Sequence, residues 1–195
     1  MRIHTEKVQI DTEGLGELCE NLRRAYNSTT VLQRDSGKNW YRDARKIGQF
    51  LSGLSGQPLR IVVGVIAVTS PGTSWEQNIL IATQILLNHS KVSCRYWDNV
   101  IKARKIIALG RVFPTLHGPK VTRFFFNIMY PDKNTCATID RWALRTAVDD
   151  YTKNEVGKLY WTIEQAYMET AREFGLRGSE FQAILWVYAR EQFPQ

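Results

Sequence analysis

The sequence predicts an all-α protein, a two-lobed helical bundle. Three observations lead to this prediction. Apolar residues recur with a helical period in most segments. The one run rich in β-branched residues, Ile61–Val68, has no obvious partner strands. A block of distinctive motif residues is flanked by helical patterns on both sides, so one lobe would come from the middle of the chain and the other from both ends.

The first two predicted helices lie before residue 55. The apolar positions of the first recur at i, i+3, i+4, i+7 and i+11, and they are Leu15, Leu18, Cys19, Leu22 and Tyr26. Asp11 and Thr12 precede this helix as candidate caps. The second helix is predicted from Asn39 to Leu54, with one apolar face formed by Trp40, Ala44, Ile47, Phe50 and Leu51. The segment Ser52–Pro58 ends it.

The next segment admits two interpretations. Its β-branched residues, Ile61–Val68, suit a buried strand, and a short buried helix fits the same apolar run equally well. A turn over Ser70–Ser74 follows. Thr73 or Ser74 can then cap a helix that runs from Trp75 to Asn88.

Helical patterns continue to the end of the chain. A helix is predicted over Trp97–Leu109, and a tight connection over Pro114–Lys120 joins it to a second one that ends at Met129. A loop follows at 130–134. Three more helices fit the segments 139–149, 154–174 and 179–192.

Composition narrows the class of function. The 195 residues are 44% hydrophobic and 23% charged, which is typical of a globular chain and argues against disorder. The formal net charge is +7, which favours a polyanionic partner, with nucleic acid first. Such a charge does not by itself establish one, because many basic proteins bind nothing anionic.

Cysteine content and hydropathy exclude several other classes. The three cysteines, Cys19, Cys94 and Cys136, are scattered and form no CxxC pair, so a zinc ribbon or a four-Cys iron–sulfur site lacks its ligands. We expect no metal and no cofactor. The N-terminal residues contain no apolar signal core, and Ile61–Val68 is too short to span a bilayer. We therefore expect a cytoplasmic protein that does not contact a membrane.

The motif block has a chemical interpretation of its own. Gly118 permits a close turn, and Pro119 suits the first position of a helix. The amides of the turn and of the helix start would then be donors for a phosphate. Lys120 would lie in the first turn, where a cation opposes the helix dipole. Asp140 would begin the following helix.

Structural roles remain open for both charged residues. Lys120 could be a phosphate clamp or a solvated lysine, and Asp140 could serve only as an N-cap, as most Asp residues at helix starts do. Spacing alone does not decide between these roles and a catalytic Lys–Asp pair.

This block resembles the helix-hairpin-helix DNA glycosylases, the superfamily of endonuclease III and the 8-oxoguanine DNA glycosylases. Their pattern is Leu-Pro-Gly-x-Gly-x-Lys, an apolar helix, and Val-Asp near the start of another helix. The matching residues here are Gly118–Lys120, Asn127 and Ile139-Asp140, and the resemblance covers about 59–150. The pattern departs where Thr115 and Leu116 replace the Pro and the first Gly, and where Arg141-Trp142 stands in place of Thr-His.

The resemblance implies a fold and an activity. It implies a helix-hairpin-helix motif, one lobe over about 78–146 and a second from 1–77 and 147–195. Members of the superfamily flip a nucleotide out of double-stranded DNA. Asp140 would stabilise positive charge on the sugar, and Lys120 would attack C1′, which adds AP-lyase activity to base excision. The closest overall pattern is that of small glycosylase-like proteins of phage type, and we expect a monomer.

Further residues are assigned roles by the same resemblance. The predicted DNA contacts are His117, Gly118, Thr122, Arg123, Lys102 and Lys105. Three tryptophans could stack on an extruded base, although such residues more often lie in a core, and these are Trp75, Trp97 and Trp142. The alternative function is a DNA-binding module that keeps the fold and lacks catalysis. An Asp140 that only caps a helix would favour this alternative.

Overall fold

The structure is a computed structural model that describes residues 12–89, 91–92 and 94–193. Within these residues it is helical with no β-strand, which confirms the all-α prediction. The helices are α1 Thr12–Asn27, α2 Val31–Ser55, α3 Leu59–Thr69, α4 Trp75–Leu86, α5 Trp97–Leu109, α6 Pro119–Met129, α7 Arg141–Val148, α8 Tyr160–Glu173 and α9 Gly178–Gln192. A short 3-10 helix, Gly157–Leu159, precedes α8. The candidate cap Asp11 lies outside the described residues.

Two helix starts differ from the prediction by several residues. Helix α8 begins at Tyr160, whereas the sequence pattern predicted 154. Helix α2 begins at Val31, whereas the pattern predicted Asn39. A reciprocal pair of hydrogen bonds explains the earlier start. The Thr30 amide donates to Gln33 Oε1 at 2.8 Å, and the Gln33 amide donates to Thr30 Oγ1 at 3.2 Å. This is the capping-box arrangement, which fixes the first turn of a helix. Phe50, predicted on the apolar face, is exposed.

The ambiguous apolar run is a helix. Residues Ile61–Thr69 of α3 are all buried, so this helix is surrounded by protein on every side. It contacts α4, α5 and α6. A β-carbon on Gly64 would lie 2.8 Å from Cγ2 of Val112, so a glycine permits the close approach of the segment that follows α5.

The chain divides into two compact units. We call the segment Asn39–Asn134 the central unit, and the remainder, up to Lys38 and from Thr135 onward, the terminal unit. The predicted lobe limits were about 78 and 146, so they differ from these boundaries. The buried helix α3 belongs to the central unit together with α4, α5 and α6.

The terminal unit has a core formed by both ends of the chain. Helix α1 contacts α7, α8 and α9. The large side chains with 0–2% exposure in this core are Leu22, Ile139, Leu144, Ile163, Tyr167, Phe181 and Leu185. Burying an aliphatic or aromatic side chain of this size contributes about 1.5–3 kcal/mol, so this core is a principal source of stability for the terminal unit.

Aromatic residues pack closely in the central unit. Trp40 lies 4.9 Å from Tyr41 and 4.9 Å from Trp75 between ring centroids. Phe124 of α6 lies within 6.4 Å of all three rings. These contacts join the first half of α2 to the start of α4 and to α6. Aromatic pairs at such distances stabilise a fold beyond the area they bury.

No single helix within the described residues is long and apolar enough to cross a membrane. Helices α2 and α3 meet that criterion only as a pair, and they are bent by 116° at their junction.

Candidate nucleic-acid interface

Positive charge is concentrated in the central unit. Residues 39–134 contain 13 Lys and Arg against 4 Asp and Glu, a formal charge of +9. The rest of the chain contains 13 against 15, a formal charge of −2. The whole excess of +7 therefore comes from the central unit. We therefore expect a polyanion to be attracted mainly to the central unit.

An open groove lies in the central unit at the start of α5. Its volume is about 490 Å³. We call it the α5 groove, and the residues that line it are Pro71, Gly72, Arg95, Tyr96, Trp97, Asp98, Asn99 and Lys102. The groove combines two cations, two aromatic rings, one carboxylate and one amide. These are the chemical groups that bind phosphates, stack on bases and hydrogen-bond to base edges.

The loop on one side of the groove is held by a buried side chain. Asn78, 1% exposed, donates from Nδ2 to the Ile66 carbonyl at 3.0 Å and accepts from Thr69 Oγ1 at 2.7 Å. A capping box between Ser74 and Gln77 fixes the start of α4. The turn 70–73 is therefore anchored at both ends. This turn forms one wall of the groove, and the wall is already ordered before a ligand binds.

Gly72 and Tyr96 are in direct contact across the groove. A β-carbon on Gly72 would overlap Cε2 of the Tyr96 ring and would lie 3.2 Å from its Cδ2 and Cζ. The φ of Gly72 is +73°, a backbone conformation that glycine adopts without strain. Glycine is thus required both by the backbone and by the ring that packs on it. The contact fixes the position of Tyr96, which is 44% exposed.

Each aromatic ring of the groove has a guanidinium group beside it. The Arg95 guanidinium lies 5.4 Å from the Tyr96 ring centroid, and that of Arg104 lies 5.8 Å from the Trp97 ring centroid. Arg104 also donates from Nη2 to the His89 carbonyl at 3.2 Å. Trp97 itself is 50% exposed. A large aromatic surface is therefore open to solvent next to fixed positive charge.

Two of the predicted DNA contacts lie on α5. Lys102 is half-buried and lines the groove. Lys105 is exposed and follows three residues later, on the same side of the helix. Lys102 therefore shares the groove with Trp97, and the two lysines have a spacing that suits consecutive phosphate groups along a backbone.

The predicted hairpin residues lie between α5 and α6. His117 is exposed, and its Nδ1 lies 3.0 Å from the Thr115 carbonyl oxygen. Gly118 is the N-cap of α6, with φ +91° and no side-chain cap. The Thr122 amide, one turn into α6, donates to the Gly118 carbonyl at 3.2 Å. Thr122 is half-buried, so only part of its side chain is available to contact DNA.

Lys120 occupies the second position of α6, as the sequence predicted. It is half-buried and directly follows Pro119 at the first helical position. Arg123, also half-buried, follows three residues later. Both cations belong to the central unit.

Asp140 is the N-cap of α7 in the terminal unit. Its Oδ1 accepts a hydrogen bond from the Ala143 amide at 2.8 Å, and the residue is half-buried. Tyr167 donates from its hydroxyl to the Ala143 carbonyl at 3.2 Å. Burial raises the pKa of Tyr167 well above its ordinary value, and the charge of Asp140 adds to this effect. Lys120 and Asp140 therefore belong to different units of the chain.

The three predicted base-stacking tryptophans have different surroundings. Trp75 is half-buried in the aromatic cluster with Trp40 and Phe124. Trp142 is 9% exposed and lies in the terminal unit with the Arg145 guanidinium 5.1 Å from its ring centroid. Trp97 differs from the other two, because it is 50% exposed.

Of the eight residues that line the groove, the sequence predicted Trp97 and Lys102 as site residues and missed the other six. Arg95 and Tyr96 form a basic–aromatic run with Trp97, and this composition is a signal for nucleic-acid contact. The other feature of the groove is the approach of Gly72 from another loop. This feature exists only in the folded chain, so the sequence does not show it. Within the described residues no group of three His, Cys, Asp or Glu could hold a metal ion.

Comparison with known proteins gives one match. A family model described as a family of unknown function (DUF7178) matches residues 4–193. No curated protein and no solved structure matches the chain.

Proposed function

The chain belongs to this family of unknown function (DUF7178), and we propose that it is a DNA glycosylase that binds double-stranded DNA through its central unit. The observation that carries the DNA-binding part of the proposal is the separation of charge, with +9 on the central unit and −2 on the rest. A duplex presents one negative charge per ~1.7 Å of its axis, so a concentrated positive surface gains most from it.

The groups that would contact DNA lie on α5 and at the start of α6. Lys102 and Lys105 supply point charges for phosphates, and the Gly118 turn leaves the first amides of α6 without a side-chain cap. Contacts of this kind position a protein on the duplex without reading sequence. His117 and Arg123, near the same turn, would extend the set.

The proposed chemistry uses Lys120 and Asp140. Nζ of Lys120 attacks C1′, the glycosidic bond breaks, and the base leaves with the bonding electrons; opening of the sugar ring then gives a Schiff base that allows strand cleavage. Asp140 stabilises the positive charge that develops on the sugar. The support for this step is the resemblance of 59–150 to the helix-hairpin-helix glycosylases, together with the positions of both residues at helix starts.

A second candidate function is DNA binding without catalysis. The observation that favours it is the hydrogen bond from the Ala143 amide to Asp140 Oδ1, since a carboxylate that caps a helix already has a structural role. This candidate needs the same charged surface of the central unit. It differs from the first only in predicting that no base is released.

One experiment separates the two candidates. Duplex oligonucleotides that carry single damaged or modified bases are incubated with the protein, and base release and strand cleavage are measured beside binding. Release of a base that depends on Asp140 supports the glycosylase. Binding without release from any substrate in the panel favours the module, and absence of binding contradicts both.

We further propose a monomer that acts in the cytoplasm, in host cells if the chain is encoded by a phage.

A further inference from the structure

We propose that the α5 groove binds an unpaired nucleotide, with the base stacked on Trp97 and its phosphate held by Lys102 and Arg95. This proposal goes beyond base excision from a duplex, because it predicts affinity for single-stranded DNA at a site that contains neither Lys120 nor Asp140. It shares with the proposed function the use of the central unit for DNA binding and one phosphate contact, Lys102.

The exposed ring is the first argument. Trp97 is 50% exposed although an indole of this size gains considerably from burial. It is the first residue of α5 and lines the groove beside Tyr96. A nucleobase offers a flat apolar face of similar size, and stacking on an aromatic side chain contributes about 1–3 kcal/mol per base. Inside a duplex that face is covered, because the bases are stacked on each other.

The distribution of charge within the groove is the second argument. Arg95 and Lys102 line it as cations, and Arg104 lies beside the Trp97 ring. Asp98 is the single carboxylate among the lining residues. A phosphate held by Lys102 and Arg95 would neutralise the cations of the lining, and the base attached to it would reach the adjacent ring.

Asp98 and Asn99 supply the remaining polar groups. A carboxylate accepts hydrogen bonds from the amino groups of bases, and a carboxamide both donates and accepts. Both residues lie in the first turn of α5, directly after Trp97. A base stacked on the indole would therefore have hydrogen-bonding partners within one helical turn. The groove contains a complete set of contacts for one nucleotide.

The rigidity of the site is the third argument. The turn 70–73 is anchored by Asn78, and Gly72 packs against the ring of Tyr96. Binding would therefore order few groups, and little of the stacking energy would be lost to immobilisation. An open groove with fixed walls, exposed aromatic surface and cations is suited to a nucleotide that is not paired.

The test compares two DNA ligands that differ only in unpaired nucleotides. A blunt duplex and the same duplex with a short single-stranded extension, each carrying a fluorophore, are titrated with the full chain, and anisotropy is measured at one salt concentration. We expect the extended duplex to bind about tenfold more tightly, because one stacked base contributes roughly that factor. Equal affinity for the two ligands would overturn the inference.

Variants assign the preference to the groove. Trp97→Ala should abolish the difference between the two ligands, and Trp97→Phe should keep most of the difference. Trp161→Ala is the matched control, because Trp161 is 58% exposed and lies in the terminal unit. A preference that survives in a folded Trp97→Ala protein would overturn the site.

The outcomes also separate this inference from the proposed function. Binding of the blunt duplex without any preference for the extended one overturns the α5 groove site alone. Preference for unpaired DNA without release of any base supports the groove and contradicts the glycosylase. Absence of binding to both ligands contradicts the inference and the proposed function together.

Discussion

Gly72 packs directly against the ring of Tyr96, so the turn between α3 and α4 touches the residue that precedes α5. The two residues are 24 positions apart, and their contact closes one end of the α5 groove. The geometry leaves no space for any side chain at position 72.

The first prediction concerns this contact. Gly72→Ala should lower the free energy of unfolding by about 1–3 kcal/mol, because the added methyl overlaps the ring and φ is +73°. Thermal unfolding followed by circular dichroism measures the change. Gly53→Ala is the control in the same unit, since nothing lies within 4 Å of a β-carbon at that position. Equal melting temperatures for the two variants would refute the contact.

A second prediction concerns salt. Duplex affinity should fall steeply with salt concentration, because each neutralised phosphate releases counterions. The double variant Lys102→Ala/Lys105→Ala should reduce the slope of log Kd against log salt by about 2. Lys153→Ala/Lys158→Ala, in the terminal unit, should leave it unchanged. Anisotropy titrations at several salt concentrations give both slopes, and identical slopes for the two double variants would contradict the predicted interface.

A third prediction concerns Lys120. Lys120→Gln should remove borohydride-trapped complexes with DNA, because an amide cannot form a Schiff base. The trapped complex is measured as a band of lower mobility on a denaturing gel. Lys133→Gln serves as the control, since Lys133 is an exposed lysine of the same unit. If Lys120→Gln loses trapping and keeps base excision, water is the nucleophile and the lyase activity is absent.

A fourth prediction concerns Asp140. Asp140→Asn should lower base excision roughly a hundredfold or more, because the charge that stabilises the developing cation is lost. Asn is also a favourable N-cap, so the stability of α7 should change little. Asp140→Ala should in addition cost about 1 kcal/mol of stability, since the bond from the Ala143 amide is lost. Single-turnover excision rates and thermal unfolding are measured in parallel, and full excision by Asp140→Asn would disprove its role.

A fifth prediction concerns the anchor of the 70–73 turn. Asn78→Leu should destabilise the protein by about 1–3 kcal/mol, because the Ile66 carbonyl loses its 3.0 Å bond from Asn78 and the Thr69 hydroxyl loses its 2.7 Å acceptor inside the fold. Gln49→Leu, at an exposed position of α2, should change stability by less than about 0.5 kcal/mol. Chemical denaturation gives both values, and similar midpoints for the two variants would show that the buried amide contributes little.

Helical periodicity predicted most of the fold. The bounds of α5 and α6 agree with the prediction at both ends, because a single Gly or Pro ends or begins each helix. The run Ile61–Val68 could not be assigned from its own residues, since a helix buried on all sides has no polar face to show a period. The start of α2 was missed because residues 33–39 contain no apolar side chain, so no helical period leads back to the capping box between Thr30 and Gln33.

The candidate site was less predictable than the fold. Lys102 and Trp97 were identified by residue type, and the structure places both in one groove. The contribution of Gly72 could not be foreseen, because it depends on a tertiary contact with Tyr96. Trp142 was named as a stacking residue, and its 9% exposure reflects packing that a sequence pattern does not encode. The shared action of Lys120 and Asp140 stays a prediction.

The terminal unit combines two segments that are far apart in the chain, and this has a consequence for biosynthesis. Its helix α1 is synthesised before the central unit, and its partners α7, α8 and α9 are synthesised after it. The central unit contains its own buried helix and can be completed while the nascent chain is still growing. We therefore expect the apolar side of α1 to need shielding, by a chaperone or by the ribosome surface, until α7, α8 and α9 have been translated.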